Sequence, residues 1–452
     1  MINSIKQEQL KQELNSESYF ILMVKSFLKE CLPGKLILLL KNAKQKRVFC
    51  QGMNRLSLYA KVEKALASRP VVNVAFFVVE SSMWKYDELF KLFLNSRAFN
   101  PKIILCPYLN YHGSQMERIM DEAESLFISK NYPYIKTWNP VARRFLDVME
   151  IFSPDIIFYC FPYLSSTKEN LYGFFHFPHS LTCYVPYSSM ICNTKNQFDK
   201  EVQNFSWGFF VENDYVKKLV EQYSPTKGVN VVNTGCPTLD VYRRKDYKPC
   251  DVWKHSQAIK IIWAPHYTIM EGVVGIAFAT FLHYCDDMLE LAKKYSENVQ
   301  IAFKPHPFLY PTLCTYWGKE KADAYYDCWK NMNNTQYETG DYTDLFKTSD
   351  AMIFDSVSFI VEYLYTQKPS LFTYKEGVEG QLNEYGLQAF ACHSKARNIH
   401  DIEYFIQKLL QGEPDEMSEK KAAFYNAYLR LPEGRTASDN IYEYIATKLN
   451  KR

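Results

Sequence analysis

The arrangement of apolar residues along the chain constrains its fold more than any other feature. Short, nearly continuous apolar runs recur at "KLILLL" (35–40), "VVNVAFFVV" (71–79), "KIILC" (102–106), "DIIFYC" (155–160) and "TCYVP" (182–186). Stretches with helical spacing, such as "YDELFKLFLNS" and "GSQMERIMDEAESLFISK", lie between several of them. Strands that are apolar at every position are covered on both faces, and strands separated by helix-sized segments pair in parallel. The pattern then restarts with "IKIIWAP" (259–265), "NVQIAFKP" (298–305), "DAMIFDS" (350–356) and "PSLFTY" (369–374). The expected architecture is therefore α/β, with two doubly wound parallel-sheet domains in tandem. The first covers 1–235, a polar linker marked by Gly235, Pro237 and Pro249 covers 236–258, and the second covers 259–430. A final helix, 431–452, starts at a Ser438 cap.

Composition removes several function classes. The chain of 452 residues is 47% hydrophobic and 23% charged, which is globular, and its net charge of +3 gives no reason to expect nucleic acid. The 12 cysteines are scattered with no C-x-x-C spacing, so neither a zinc site nor a redox motif is expected. No signal peptide is read at the start, and a cytoplasmic location is expected. Lys25 to Arg47 carries seven Lys/Arg against one Glu beside an apolar stretch. That segment is either a solvated helix leading into the first strand or a surface for anionic lipid at the inner face of the membrane. G-x-G-x-x-G, Walker A, H-E-x-x-H and G-x-S-x-G sequences are all absent.

In open α/β sheets ligands bind at the carboxyl ends of the strands, so the residues standing there are the candidates. "WAPHY" places His266 after one strand of the second half, and "KPHP" places Lys304 and His306 after the next, with prolines ending the strand. "GDYTDLF" offers Thr343 and Asp344 at a helix start. "DSVSFIVEYLYTQKP" runs from Asp355 through Ser356 and Ser358 into a helix carrying Glu362. Unsatisfied N–H groups and hydroxyls at such a terminus suit phosphate oxygens, and a carboxylate further along suits ribose hydroxyls. With Lys304 and His306 alongside, the set fits a nucleoside diphosphate. Each residue also has a plain reading as a cap, a helix stop or a buried histidine. On the facing half, His179 is the first candidate to take a proton from an acceptor hydroxyl, with His176 and His112 behind it.

These motifs resemble the CDP-glycerol glycerophosphotransferases, the teichoic-acid primases and polymerases. The resemblance covers about 259–375 through "WAPHYT", "KPHP" and "DYTDLFKTSDAMIFDSVSFIVEYLYTQKP", and reaches weakly into "SPDIIFYCFPY" and "CYVPYSS". It implies a GT-B fold of two Rossmann-like domains facing a central cleft, with no metal or cofactor. Lys304 and His306 would lie on the pyrophosphate, and Asp355, Ser356, Ser358 and Glu362 on the phosphate and ribose. The implied partners are a nucleotide-activated donor and a glycan or lipid-linked acceptor. The sequence departs from the family at the missing WHG histidine, at Thr268 in place of an arginine, at His266 in place of a threonine, and at Val357 between the two serines. A nucleotide-sugar transferase and a catalytically silent scaffold subunit of the same fold stay open.

Overall fold

The computed structural model describes residues 34–111, 113–244, 246–255, 257–270, 279–432 and 434–451. The chain divides into a unit ending at Arg55 and a unit Leu56–Arg452. What is described of the first unit is the leading part of a helix spanning Gly34–Ala67. "KLILLL" is therefore helical and not a first strand. Ile37 is its one β-branched residue, and the Leu, Lys, Gln and Arg that surround it are strong helix formers. Lys44, Lys46 and Arg47 of the basic segment are exposed on this helix; the part before residue 34 lies outside the described residues. Among the described residues no helix is long and apolar enough to cross a membrane.

The second unit holds two parallel sheets. The first contains β1 (Val72–Val78), β2 (Phe99–Leu105) and β3 (Tyr134–Lys136). After a small antiparallel ribbon, β4 (Trp138–Asn139) with β5 (Arg144–Phe145), it continues with β6 (Ile156–Tyr159), β7 (Leu181–Tyr184), β8 (Gly208–Val211) and β9 (Val231–Asn233). The strand order is β3-β2-β1-β6-β7-β8-β9. The second sheet contains β10 (Ile259–Ala264), β11 (Val299–Phe303), β12 (Thr335–Tyr337), β13 (Ala351–Phe354), β14 (Ser370–Thr373) and β15 (Ser394–Ala396), in the order β12-β11-β10-β13-β14-β15. Each sheet starts at a central strand, grows outward, then crosses back to grow the other way. The reversals fall between β1 and β6, where Phe77 pairs with Tyr159, and between β10 and β13, where Ala264 pairs with Phe354. At such a point the connections leave in opposite directions and open a crevice above the carboxyl ends.

Aromatic packing fixes both cores. Phe76 stacks on Phe158 at 4.5 Å in the first, and Trp263 lies 5.1 Å from both Phe303 and Trp329 in the second. The final helix, Ala437–Lys448, returns to the first core with Ile441 and Ile445, and Tyr442 meets Phe93 edge-on at 5.3 Å. Its cap is Thr436, not Ser438: Thr436 Oγ1 accepts the Asp439 N–H at 3.0 Å. Buried Asp240 accepts from the N–H groups of Ala437 and Ser438, each at 2.8 Å. One carboxylate thereby satisfies two orphan donors, which leaves Ser438 inside the first turn.

The halves are also joined beside β7. Cys192 forms a bridge with Leu382, and the Asn383 N–H donates to the Ile191 carbonyl at 2.8 Å. Gly386 lets this crossing close, since a Cβ there would lie 2.5 Å from the Ile191 oxygen.

Candidate active site

The ends of β10, β11 and β13 converge at the reversal point of the second sheet. Asp355, directly after β13, is 1% exposed and ties the ends together. Its Oδ1 accepts the His266 N–H at 2.5 Å, and its Oδ2 accepts the Thr280 N–H at 2.5 Å and the Thr280 hydroxyl at 2.9 Å. Burial pushes its carboxyl up to about 6, against those hydrogen bonds. Both oxygens are occupied inside the protein, so Asp355 sits as a brace beneath the site, a place sequence reasoning had given to ligand contact.

His306 stands above that brace. Its backbone N–H donates to the Pro265 carbonyl at 3.0 Å, and its Nδ1 accepts the Phe308 N–H at 3.1 Å. The ring packs 4.5 Å from Tyr267 and 4.9 Å from His266. Burial first, and Lys304 second, push its pKa down to about 4, so the ring is neutral at pH 7. With Nδ1 serving as acceptor, the proton of the neutral ring resides on Nε2. Nε2–H has no partner among the described residues and is available as a donor. His266 is held near 3 by burial and by His306, and its Nδ1 lies 3.0 Å from the Thr268 hydroxyl.

Lys304 is 6% exposed, yet its Nζ has no hydrogen bond or ion pair among the described residues. Burial holds its pKa down to about 8, helped by Lys85 from the first half. Glu362, also buried, accepts the Tyr342 hydroxyl at 2.5 Å, and burial raises its carboxyl pKa against the pull of Lys85, Tyr342 and Lys304. Ser356 and Ser358 precede a single α-turn, Phe359–Glu362, which continues as a 3-10 turn, Tyr363–Thr366. Glu362 thus ends the first turn instead of lying further along a helix, and one turn contributes little dipole. What remains are two hydroxyls that make no hydrogen bond among the described residues. Thr343 opens the helix Thr343–Thr348, its N–H bonded to Asp341 at 2.8 Å. Asp344 turns to the linker and accepts the Tyr247 hydroxyl at 2.5 Å.

The facing wall differs from expectation. His179 is exposed just before β7, hence at the amino edge of its sheet, opposite the carboxyl edge that lines the crevice. His176 pairs with Asp147 at 2.8 Å, beside the helix that leads into the amino end of β6. Both histidines were chosen for their titration range; topology puts them on the wrong edge. His112 lies outside the described residues. Two carboxylates do follow strands of this sheet at its carboxyl edge. Glu212, after β8, is fully engaged by Ser189, Met190 N–H and Tyr385. Among the described residues Glu80, after β1, accepts only the Ser82 hydroxyl, and burial raises its pKa. Tyr108 and Tyr163 stand nearby, and Tyr187 next to them. Glu80 and Lys85 are not among the residues expected from sequence, although "VVESSMWKYDE" directly continues the strand read at 71–79.

Two Rossmann-like parallel sheets, with imidazoles and a lysine that has no ion-pair partner among the described residues gathered at the carboxyl ends of one, define a GT-B fold. A model of the CDP-Glycerol:Poly(glycerophosphate) glycerophosphotransferase family matches residues 185–447, more than half of the chain, and the chain belongs to that family. It is accordingly a transferase acting on CDP-glycerol. Solved structures agree in fold. A variant of the wall teichoic acid polymerase TagF is 12% identical with a TM-score of 0.53, over 90% of this chain and 98% of that one. The UDP co-structure of MnaA from S. aureus is 13% identical with a TM-score of 0.53, over 84% and 98%. A UDP-N-acetylglucosamine 2-epimerase from Listeria monocytogenes is 14% identical with a TM-score of 0.51, over 84% and 98%. None of the curated proteins compared matches the chain.

Proposed function

We propose that the chain transfers glycerophosphate from CDP-glycerol to a hydroxyl of a teichoic-acid-type polymer or its lipid-linked precursor, without a metal ion. The observation that carries this reading is that Lys304 and the His306 Nε2–H, neither with a hydrogen-bond partner among the described residues, stand together at the reversal point of the second sheet. The acceptor oxygen forms a bond to the glycerol-bearing phosphorus, and the bond from that phosphorus to the oxygen shared with CMP breaks. CMP leaves with the electron pair. Lys304, His306 Nε2–H and the hydroxyls of Ser356 and Ser358 stabilise charge on the phosphate oxygens as it builds up. Such preset donors work through electrostatics and positioning.

The acceptor proton needs a base on the opposite wall, and Glu80 is the carboxylate there whose oxygens are least engaged. Burial raises its pKa, which makes the carboxylate a stronger base than an exposed one. Glu80→Gln is expected to lower kcat while the donor KM stays within twofold; unchanged kcat removes Glu80 from the role.

The reading as a whole is tested by thermal shift in EDTA with CMP, CDP, CDP-glycerol, UDP, UDP-GlcNAc and GDP. A ligand at a hundred times its Kd stabilises by about 2.7 kcal/mol, a readily measured rise in Tm. Stabilisation by cytidine nucleotides, greatest for CDP-glycerol, is expected. Preference for uridine or guanosine nucleotides points to a nucleotide-sugar donor, and no response to any nucleotide points to the scaffold.

A further inference from the structure

Lys85 belongs to the first half but points into the donor site of the second. Its neighbours Trp84 and Tyr86 are both buried in the first core: Trp84 Nε1 donates to Asp87 at 3.0 Å and the Tyr86 hydroxyl to the Val185 carbonyl at 3.0 Å. The backbone at Trp84 is extended, so successive side chains alternate and Lys85 is turned away from that core. Its Nζ lies 3.0 Å from the Tyr342 hydroxyl and 4.7 Å from the centre of that ring. Lys304 Nζ stands 5.3 Å from the same ring.

Two ammonium groups thus share one half-buried phenol. The phenol hands its hydroxyl hydrogen to Glu362, the one carboxylate bonded into this group. The other acidic groups facing Lys304 are Glu338 and Asp341, and each has a partner of its own: Gln336 at 2.6 Å and the Thr343 N–H at 2.8 Å. Lys304 is buried while Lys85 is half-buried, and a buried ammonium without a hydrogen-bond acceptor is unfavourable. A diphosphate laid between the two ammonium groups has enough oxygens for both, and gives Lys304 Nζ the hydrogen-bond partner it lacks among the described residues.

We propose that Lys85 is a donor-binding residue supplied by the acceptor-side half, joining Lys304 on the diphosphate of the nucleotide so that the donor ties the two walls of the cleft. This rests on the assignment of the site to a CDP-linked donor. Binding of the donor then completes the cleft from both sides, which positions the acceptor wall only when a donor is present.

The test is CDP-glycerol affinity by calorimetry for the unaltered protein, Lys85→Met and Lys85→Arg, across pH 6.5 to 9.5. The donor binds the protonated form of Lys304, so affinity is full below about 8 and falls as pH rises through that value. Losing a charge-assisted hydrogen bond weakens binding roughly ten- to a hundredfold, which is the expectation for Lys85→Met. Lys85→Arg is expected to stay near the unaltered affinity. In Lys85→Met the pH break is expected to move upward, since Lys85 is one of the groups that holds Lys304 down. A purely structural lysine would weaken both variants alike, and that result overturns the proposal. CDP-glycerol binding to Lys85→Met as to the unaltered protein sinks this proposal alone. No binding to the unaltered protein sinks the donor assignment and this proposal with it.

Discussion

His306→Ala is expected to reduce kcat with CDP-glycerol by roughly a hundred- to a thousandfold, the usual loss when one preset donor to a developing charge is removed. The ring is held in place from every side: Phe308 N–H on Nδ1, Tyr267 and His266 against its faces, and its own N–H on Pro265. That support fixes Nε2–H before any substrate arrives, so nothing has to reorganise during the transfer. The backbone bonds survive the substitution, and the melting temperature is expected to change little. His306→Gln, whose amide can place an N–H near the same point, is expected to recover part of the lost rate. Full activity in His306→Ala, with the variant shown to be folded, removes His306 from the reaction.

Asp355→Ala is expected to have the largest effect on stability, a loss of about 3 kcal/mol or more in urea unfolding. Three donors converge on this buried carboxylate: two backbone N–H groups, from His266 and Thr280, and the Thr280 hydroxyl. Each buried donor left without an acceptor costs about 1–3 kcal/mol. Asp355→Asn keeps the shape but sets an NH₂ against one of those donors, so it is expected to fall between the two. Donor affinity should fall in both variants, because the ends of β10 and β13 lose the group that holds them at their spacing. An alanine variant as stable as the unaltered protein would show that the brace is unimportant.

Strands β1, β2, β6, β7, β10, β11, β13 and β14 could be read from the chain because they lie in nearly continuous apolar runs, a pattern that suits a sheet covered on both faces, whereas β8 (Gly208–Val211) is absent from those runs. The shorter strands β3, β9, β12 and β15, three residues each, carry too few positions to show a period. "KLILLL" has the same apolar density as a buried strand, and only its place in the helix Gly34–Ala67 tells it apart. The capping of the last helix was legible as a polar start to a helical run, but its buried partner Asp240 is nearly two hundred residues away in sequence.

By itself the sequence determined the two parallel-sheet halves, and which residues stand at the strand ends of the second, because strand, proline and histidine are contiguous there. Lys304 and His306 needed no distant information. The tertiary structure alone decided which of those residues face a ligand and which face the protein. It turned Asp355 inward onto three donors and Asp344 toward Tyr247, left Lys304 without an ion-pair partner among the described residues, and set His179 at the amino edge of its sheet. It also brought Lys85 to Tyr342 across a separation of 257 residues. The physical reason is that local periodicity fixes an element and its exposed face, whereas the partner of a charge is set by how the two sheets oppose each other. No local pattern encodes that opposition.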